Sequence, residues 1–230
     1  MTPSSWVRRT SVTAVCVAAL AALAAPAQAA SAASTSARAA STASAASAAS
    51  TAVTGSAGAA EAAGAAPVDH ATWQRDCRAV MDQALPYLQA RVAAARPGEK
   101  QAIVFDIDNT TLETDFGFSY PQPANQPVLD VARYAQEHGV RLFFVTARPG
   151  ILYWPTEYNL EHDGYDVSGL YVRGLFDLFK DVAAYKTAQR ADIESQGYTI
   201  VANIGNSATD LSGGHAERTF KLPDYDGQLS

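Results

Sequence analysis

The feature that most constrains the fold is a regular alternation of short apolar segments with longer amphipathic ones. The apolar segments have the pattern of buried strands: AIVF (102–105), VRLFFV (140–145), GLYVR (169–173) and YTIVANI (198–204). Helices are predicted between them, over 127–139, from a cap at Thr156, and over 181–197. Because strands that alternate with helices form mainly parallel sheets, the sequence predicts a three-layer α/β fold with helices on both faces of the sheet.

A further amphipathic segment precedes the first predicted strand. Its apolar residues recur at helical spacing: Trp73, Cys77, Val80, Met81, Ala84 and Leu88. Pro86 lies inside this pattern, and because proline has no backbone N–H and clashes with the preceding turn, we expect the helix to bend or break there. Cys77 lies on the apolar stripe, which favours a buried packing role over that of a nucleophile.

Residues 1–29 have the layout of an export signal. Arg8 and Arg9 precede the apolar run 12–25, and a small-residue cleavage pattern follows at 27–29. A membrane anchor is the alternative, but the run is shorter than the ~20 apolar residues of a spanning helix. The sequence therefore predicts a secreted or cell-envelope protein whose mature form has no integral membrane segment.

Composition changes again after the predicted signal. Residues 30–66 are almost entirely Ala, Ser, Thr and Gly, with no aromatic side chain. Such a segment lacks the large apolar groups needed to offset chain entropy, so we expect a disordered linker or tail. The folded domain is predicted over 67–230.

Charge and short motifs exclude several classes of protein. The formal net charge is −6, which disfavours nucleic acid as a partner because such proteins neutralise phosphates with surplus Lys and Arg. An anionic ligand would then need a local cation. The four histidines have no HExxH spacing, which disfavours zinc, and P-loop, nucleophile-elbow and dinucleotide-binding motifs do not occur in the sequence. Oligomeric state is not indicated by any of these features.

Polar side chains follow the predicted strands where the carboxyl ends of parallel strands meet, which is where α/β proteins bind ligands. These residues are Asp106 and Asp108 after the first strand, Thr146 and Arg148 after the second, Lys186 in the last long helix, and Asn206 and Asp210 after the last strand. Two carboxylates two residues apart repel each other and call for a cation. The oxygen-rich set is suited to Mg²⁺.

Four segments, taken in order, resemble the motifs of the haloacid dehalogenase superfamily of phosphohydrolases: FDIDNTTLET, FFVTARP, the lysine of AAYKTAQR, and NIGNSATDLSGG. The nearest branch is that of secreted acid phosphatases related to plant vegetative storage proteins. The resemblance spans about 101–223 and implies a Rossmann-like fold. It also implies a phosphomonoesterase with Mg²⁺ as cofactor, a small-molecule phosphate monoester as substrate and an aspartyl-phosphate intermediate.

The resemblance assigns a role to each motif residue. Asp106 would be the nucleophile, and Asp108 the general acid and then the general base. Thr146 would hold the phosphoryl group, while Lys186 would neutralise its charge and orient Asp106. The implied metal ligands are the Asp106 carboxylate, the Asp108 backbone carbonyl, Asn206 and Asp210.

The chain departs from the family pattern in two places. Asn206 stands where the family has aspartate, and because an amide is neutral, metal affinity should fall. This leaves open a secreted binding or storage protein that keeps the fold without efficient turnover. Independently of Asn206, the motifs do not distinguish hydrolysis from transfer of the phosphoryl group to another alcohol. The segment GFSYPQPANQPV (117–128) is too short for the cap found in related enzymes, so we expect a minimal cap and an open site. Arg148 is ambiguous between a phosphate contact and a salt bridge.

Overall fold

The computed structural model describes residues 67–229. The predicted export signal (1–29) and linker (30–66) lie outside these residues and stay predictions. Within 67–229, every helix is too short or too polar to cross a membrane.

The elements follow the predicted alternation. The helices are α1 (His70–Ala93), α2 (Gln126–Glu137), α3 (Tyr153–Asp163), α4 (Val182–Ser195) and α5 (Ala208–Leu211). The strands are β1 (Lys100–Phe105), β2 (Arg141–Pro149), β3 (Val167–Arg173), β4 (Tyr198–Gly205) and β5 (Thr219–Lys221). The five strands pair in parallel within one sheet, in the order β3-β2-β1-β4-β5.

The side chains of β1 show how the sheet is covered on both faces. Ile103 and Phe105 belong to a buried cluster with α1, α2 and α3. Ala102 and Val104 point into a second cluster, which contains residues of α4. Because successive side chains of a strand point to opposite faces, the apolar run 102–105 of β1 requires a helical layer on each side. The predicted three-layer α/β fold is confirmed.

The sequence predicts a bend or a break of helix α1 at Pro86, and the structure shows no break. The helix runs without interruption from His70 to Ala93, with Pro86 inside. The missing N–H leaves the carbonyl of Asp82 without its partner in the helix. Both residues are solvent-exposed, so water can hydrogen-bond to this carbonyl, while the buried stripe packs on the opposite side.

Two further boundaries differ from the prediction. Helix α3 begins at Tyr153, and Thr156 lies buried within it instead of capping it. The hydroxyl of Thr156 accepts a hydrogen bond from Arg148, which explains why a polar residue is buried there. Strand β5 has only three residues and therefore no periodic pattern that could reveal it.

The connections at the carboxyl edge of the sheet contain little regular secondary structure. Residues 106–125, between β1 and α2, contain no helix and no strand longer than an isolated bridge. Residues 174–181, between β3 and α4, contain a single 3-10 turn at Asp177–Phe179. These connections form loops around the carboxyl edge instead of a separate cap domain.

Candidate active site

A cavity of about 320 Å³ lies at the carboxyl ends of β1, β2 and β4. Its lining includes most of the predicted site residues: Asp106, Asp108, Lys186, Asn206 and Asp210. Of the other two residues that the sequence places at the strand ends, Arg148 lines an adjoining cavity, and Thr146 lies next to Ala147, which lines this one. The rule that strand ends share one crevice therefore places the predicted residues together.

Lys186 is the centre of a buried ionic cluster. Its Nζ lies 2.6 Å from Oδ1 of Asp106 and 2.6 Å from Oδ1 of Asp210. Asp106 follows β1, Lys186 lies in α4 and Asp210 lies in α5, so three elements must pack correctly to form it. All three side chains are almost entirely shielded from solvent.

The cluster is short of positive charge. Two carboxylates face one ammonium group. The pKa of Asp106 rises to about 6, mainly because the group is buried; the positive charge of Lys186 opposes this rise, and the negative charge of Asp210 adds to it. Burial lowers the pKa of Lys186, but the charges of Asp106 and Asp210 outweigh it, so this pKa lies above its usual value. Within the described residues no hydrogen bond reaches Oδ2 of Asp106. A further cation or an electrophile at that oxygen would meet an uncompensated negative charge.

Asp210 is fixed by the turn that begins α5. Its Oδ2 accepts a hydrogen bond of 2.8 Å from the backbone N–H of Ser207 in a capping box. Gly205 lies directly beneath it: a Cβ at this position would lie 2.4 Å from Cβ of Asp210. The glycine of the last motif is therefore required for the close approach of the aspartate to the strand.

The backbone of the same turn is held by a residue that the sequence did not single out. Arg190 is almost completely buried, and its guanidinium donates to the carbonyls of Asp210, at 2.7 Å, and Gly214, at 2.9 Å. The side chain of Asn203 also donates to the Asp210 carbonyl, at 2.9 Å. Because arginine on a helix usually faces solvent, the sequence does not mark Arg190 as a buried residue. The only sequence signal for such a contact is the small, polar loop that Arg190 supports.

Asp108 is held in a different way from Asp106. Arg148 contacts its carboxylate through Nη2, at 2.7 Å from Oδ1, and through Nε, at 3.1 Å from both oxygens. Thr114 donates to Oδ1 at 2.9 Å. In this structure Arg148 therefore forms the salt bridge that the sequence left as one of two possibilities.

Thr146 is completely buried within β2, three residues before the end of the strand. Its Oγ1 accepts a hydrogen bond of 3.1 Å from the backbone N–H of Arg148. The structure thus places its hydroxyl against the backbone of Arg148, two residues further along the same strand, and Ala147 faces the cavity.

Asn206 lines the cavity, but both ends of its amide are engaged by the protein. Nδ2 donates to the carbonyl of Leu229 near the C-terminus, and Oδ1 lies 3.3 Å from the hydroxyl of Thr110. An aspartate at this position would have no N–H for Leu229. The replacement that distinguishes this chain from the family pattern is therefore linked to the position of its last residues.

The donor set suits a hard cation. Magnesium prefers carboxylate and carbonyl oxygens, which Asp106, Asp210, Asn206 and the backbone of Asp108 offer. Between residues 67 and 229 there is no cluster of three His, Cys, Asp or Glu side chains placed to hold a metal ion. The fit therefore depends on the Asn206 amide and on the Asp106 carboxylate, a set with fewer charges than an all-carboxylate site.

A second cavity, of about 640 Å³, adjoins the first and shares Asp108 and Thr114 with it. Exposed Phe118 and Tyr120 line it, whereas Phe116 instead stacks on Trp73 with ring centroids 4.6 Å apart. The aromatic residues near the first motif thus divide between the cavity wall and the core.

The comparison with protein families decides the assignment. The profile of the HAD superfamily, subfamily IIIB (Acid phosphatase), matches residues 23–122 and 119–228. The chain belongs to this subfamily. The expected superfamily and branch are confirmed, and at the level of the family so is the expected enzyme class, a phosphoric monoester hydrolase. Members of the superfamily generally use a divalent metal ion.

The similar proteins come from plants and bacteria. The Stem 28 kDa glycoprotein of Glycine max is 31% identical over 176 residues, which cover 66% of this chain and 68% of that protein. A Stem 31 kDa glycoprotein of the same plant is also 31% identical, with 66% and 59% covered. The class C acid phosphatase of Bacillus anthracis has the same fold, with a TM-score of 0.55, 18% identity, and 68% of this chain and 80% of that chain covered.

Proposed function

We propose that this chain hydrolyses small phosphate monoesters through an aspartyl-phosphate on Asp106, with Mg²⁺ as cofactor. The observation that carries this proposal is the buried Asp106 carboxylate, which has one oxygen on Lys186 and the other without a hydrogen bond among the described residues. One oxygen is held while the other can attack, which is the arrangement a nucleophile needs. Membership of the acid phosphatase subfamily supports the same reaction.

The chemistry follows from the two aspartates. Oδ2 of Asp106 forms a bond to phosphorus while the bond from phosphorus to the alcohol oxygen breaks, and Asp108 gives that oxygen its proton. Water then attacks the phosphorus of the aspartyl-phosphate and passes a proton to Asp108. The bond to Asp106 breaks, which releases inorganic phosphate and restores the carboxylate.

Lys186 supplies fixed positive charge beside the reacting carboxylate. The residues that would hold the metal are Asp106, Asp210 and Asn206 with the backbone carbonyl of Asp108. When bound, Mg²⁺ would add the positive charge that the cluster lacks and neutralise oxygens of the phosphoryl group.

We also propose that the protein is exported to the cell envelope or beyond. The support is the arginine pair, short apolar run and small-residue cleavage pattern of residues 1–29. Determination of the N-terminus of the protein recovered from the medium or envelope tests this, and a chain retained inside the cell with its first residues intact contradicts it.

A second candidate is a binding or storage protein without efficient turnover. The observation that favours it is the engagement of the Asn206 amide by Leu229 and Thr110, which competes with a role in metal binding. The plant relatives are named as stem glycoproteins, with no reaction in the name.

One assay separates the two. Hydrolysis of 4-nitrophenyl phosphate by the purified protein is measured with Mg²⁺ and with a chelator, beside Asp106→Asn and Asn206→Asp. The phosphatase proposal expects turnover that needs metal and is lost in Asp106→Asn. An inert wild type that gains turnover in Asn206→Asp supports the second candidate. Because a structural neighbour was solved with tungstate bound, inhibition by this oxyanion is a further check of phosphate-like binding.

A further inference from the structure

Arg148 lines the second cavity and contacts Asp108, which both cavities share, and four of its five guanidinium N–H groups are engaged. Its side chain is 14% exposed. Besides Asp108, its nitrogens donate to the hydroxyl of Thr156 at 3.1 Å and to Oε1 of Gln122 at 3.0 Å. These partners come from α3 and from the loop before α2, so the planar donor group is fixed by two separate parts of the chain.

The contacts to Asp108 are unequal at its two oxygens. Oδ1 receives Nη2 of Arg148 at 2.7 Å, Nε at 3.1 Å and the hydroxyl of Thr114 at 2.9 Å. Among the described residues Oδ2 receives a single contact, the same Nε at 3.1 Å, shared with Oδ1. An oxygen that already accepts three donors has no room for a proton, because an O–H there would point at N–H and O–H groups.

We propose that Arg148 is a positioning residue that anchors Oδ1 of Asp108 and so reserves Oδ2 for proton exchange. This inference rests on the proposed phosphatase activity and specifies how its acid is oriented. As the bond from phosphorus to the alcohol breaks, the proton on Oδ2 moves to the alcohol oxygen and leaves a carboxylate. When water attacks the phosphoenzyme, its proton returns to Oδ2.

The alternative role, direct contact with the phosphoryl group, is not favoured by this geometry. The N–H groups of Arg148 already donate to Asp108, Thr156 and Gln122. Four of its five N–H groups are used in this way, so a paired contact with two phosphate oxygens would require Arg148 to give up one of these partners. The planar fork of arginine matches the paired oxygens of a carboxylate, which a lysine cannot reproduce.

The leaving group provides the decisive test, because a proton from Asp108 matters most when the departing alcohol is basic. The values of kcat/KM for 4-nitrophenyl phosphate, whose phenolate departs readily without a proton, and for phenyl phosphate are compared in wild type, Arg148→Met and Arg148→Lys. This ratio is chosen because kcat/KM reports the steps up to departure of the alcohol and is unaffected by slow hydrolysis of the phosphoenzyme.

Arg148→Met is expected to lose roughly 100-fold on phenyl phosphate and at most about 10-fold on 4-nitrophenyl phosphate. Arg148→Lys should recover part of the difference, since it returns the charge but only one of the directed donors. Equal losses on both substrates would show a merely structural role and would overturn the inference. Unchanged or increased activity would overturn it as well.

A matched control separates the position of the arginine from general loss of a buried ion pair. Arg91 is 13% exposed and pairs with Glu99 and Glu217, and none of these three lines either cavity. Arg91→Met should lower stability without changing the ratio between the two substrates. A ratio that shifts equally in both variants contradicts the inference.

A smaller change covers the case in which Arg148→Met fails to fold. Thr114→Val removes one donor to Oδ1 and keeps the shape of the side chain, so a loss selective for phenyl phosphate is expected here too, and its absence counts against the inference.

Wild-type protein that hydrolyses neither ester refutes the proposed function itself. Wild-type turnover through Asp106 without leaving-group selectivity in the variants refutes only the role of Arg148.

Discussion

The two aspartates of the first motif lie two residues apart but in opposite electrostatic settings. Asp106 is buried and shares the single ammonium group of Lys186 with Asp210, which leaves one oxygen unbonded among the described residues and the cluster net negative. Asp108 is partly exposed and is the one carboxylate among the described residues that pairs with the guanidinium of Arg148. A shared point charge leaves an oxygen available for attack, whereas a dedicated fork fixes the direction of a carboxyl group.

Removal of Lys186 should break the first setting most severely. Lys186→Met leaves two buried carboxylates facing each other, and the expected cost in the free energy of unfolding is about 3–5 kcal/mol. Urea denaturation without metal measures this. Lys180→Met is the control, because Lys180 is 62% exposed and its ion pair with Asp177 should contribute little. Equal effects of the two substitutions would contradict the account of the cluster.

The raised pKa of Asp106 predicts an unusual dependence of stability on pH. The folded protein binds the proton of Asp106 more tightly than the unfolded chain does, since the pKa of this carboxyl is about 6 against an ordinary value of 3.8. Its stabilising contribution is therefore fully present below pH 3.8 and is lost as the pH rises through 6. With a chelator present, the expected decline over this window is on the order of 3 kcal/mol.

Asp106→Asn isolates this contribution, because an amide does not titrate. As the pH rises across this window, the free energy of unfolding of wild type should fall relative to that of the variant. A difference that stays constant with pH would contradict the raised pKa.

Asn206→Asp sharpens the comparison because it adds a negative charge on the Asp106 side, where the cluster with Lys186 and Asp210 is already net negative. Without metal the variant loses the N–H that bonds to Leu229 and gains a buried carboxylate, so we expect a stability loss of about 1–3 kcal/mol. With Mg²⁺ the added charge should strengthen metal binding, which titration calorimetry measures directly. Thr110→Val is the control, because it perturbs the other contact of Asn206 without adding charge.

The Asp108 side should tolerate the loss of one contact better. Thr156→Val removes the acceptor of Arg148 Nη1 but leaves Asp108 and Gln122 in place, so the expected cost is only about 1 kcal/mol. Thermal unfolding of wild type and variant measures it. A loss as large as that of Lys186→Met would mean that the two settings do not differ as described.

The meeting of Asp106, Asp108, Lys186 and Asp210 could be predicted from the sequence because it depends on local rules. Each residue follows an apolar strand or lies at the start of a helix, and parallel strands bring their carboxyl ends to one edge. Alternation of strands and helices predicted the layers for the same reason.

What the sequence did not reveal depends on contacts between distant segments. The amide of Asn206 meets a carbonyl near the end of the chain, and Arg190 turns inward to hold loop carbonyls. The continuity of α1 through Pro86 depends on which side of the helix faces water. None of these follows from residue spacing, because each is decided by the packing of elements whose relative placement the sequence does not state.

The most direct test of the central claim is to trap the phosphoenzyme. Protein mixed with labelled phenyl phosphate and Mg²⁺ is quenched in acid within the first turnover, and the labelled peptide is located by mass spectrometry. The account predicts a phosphoryl group on Asp106 that is absent in Asp106→Asn. Turnover without a labelled peptide, or a labelled phosphoryl group on any other residue, would contradict it.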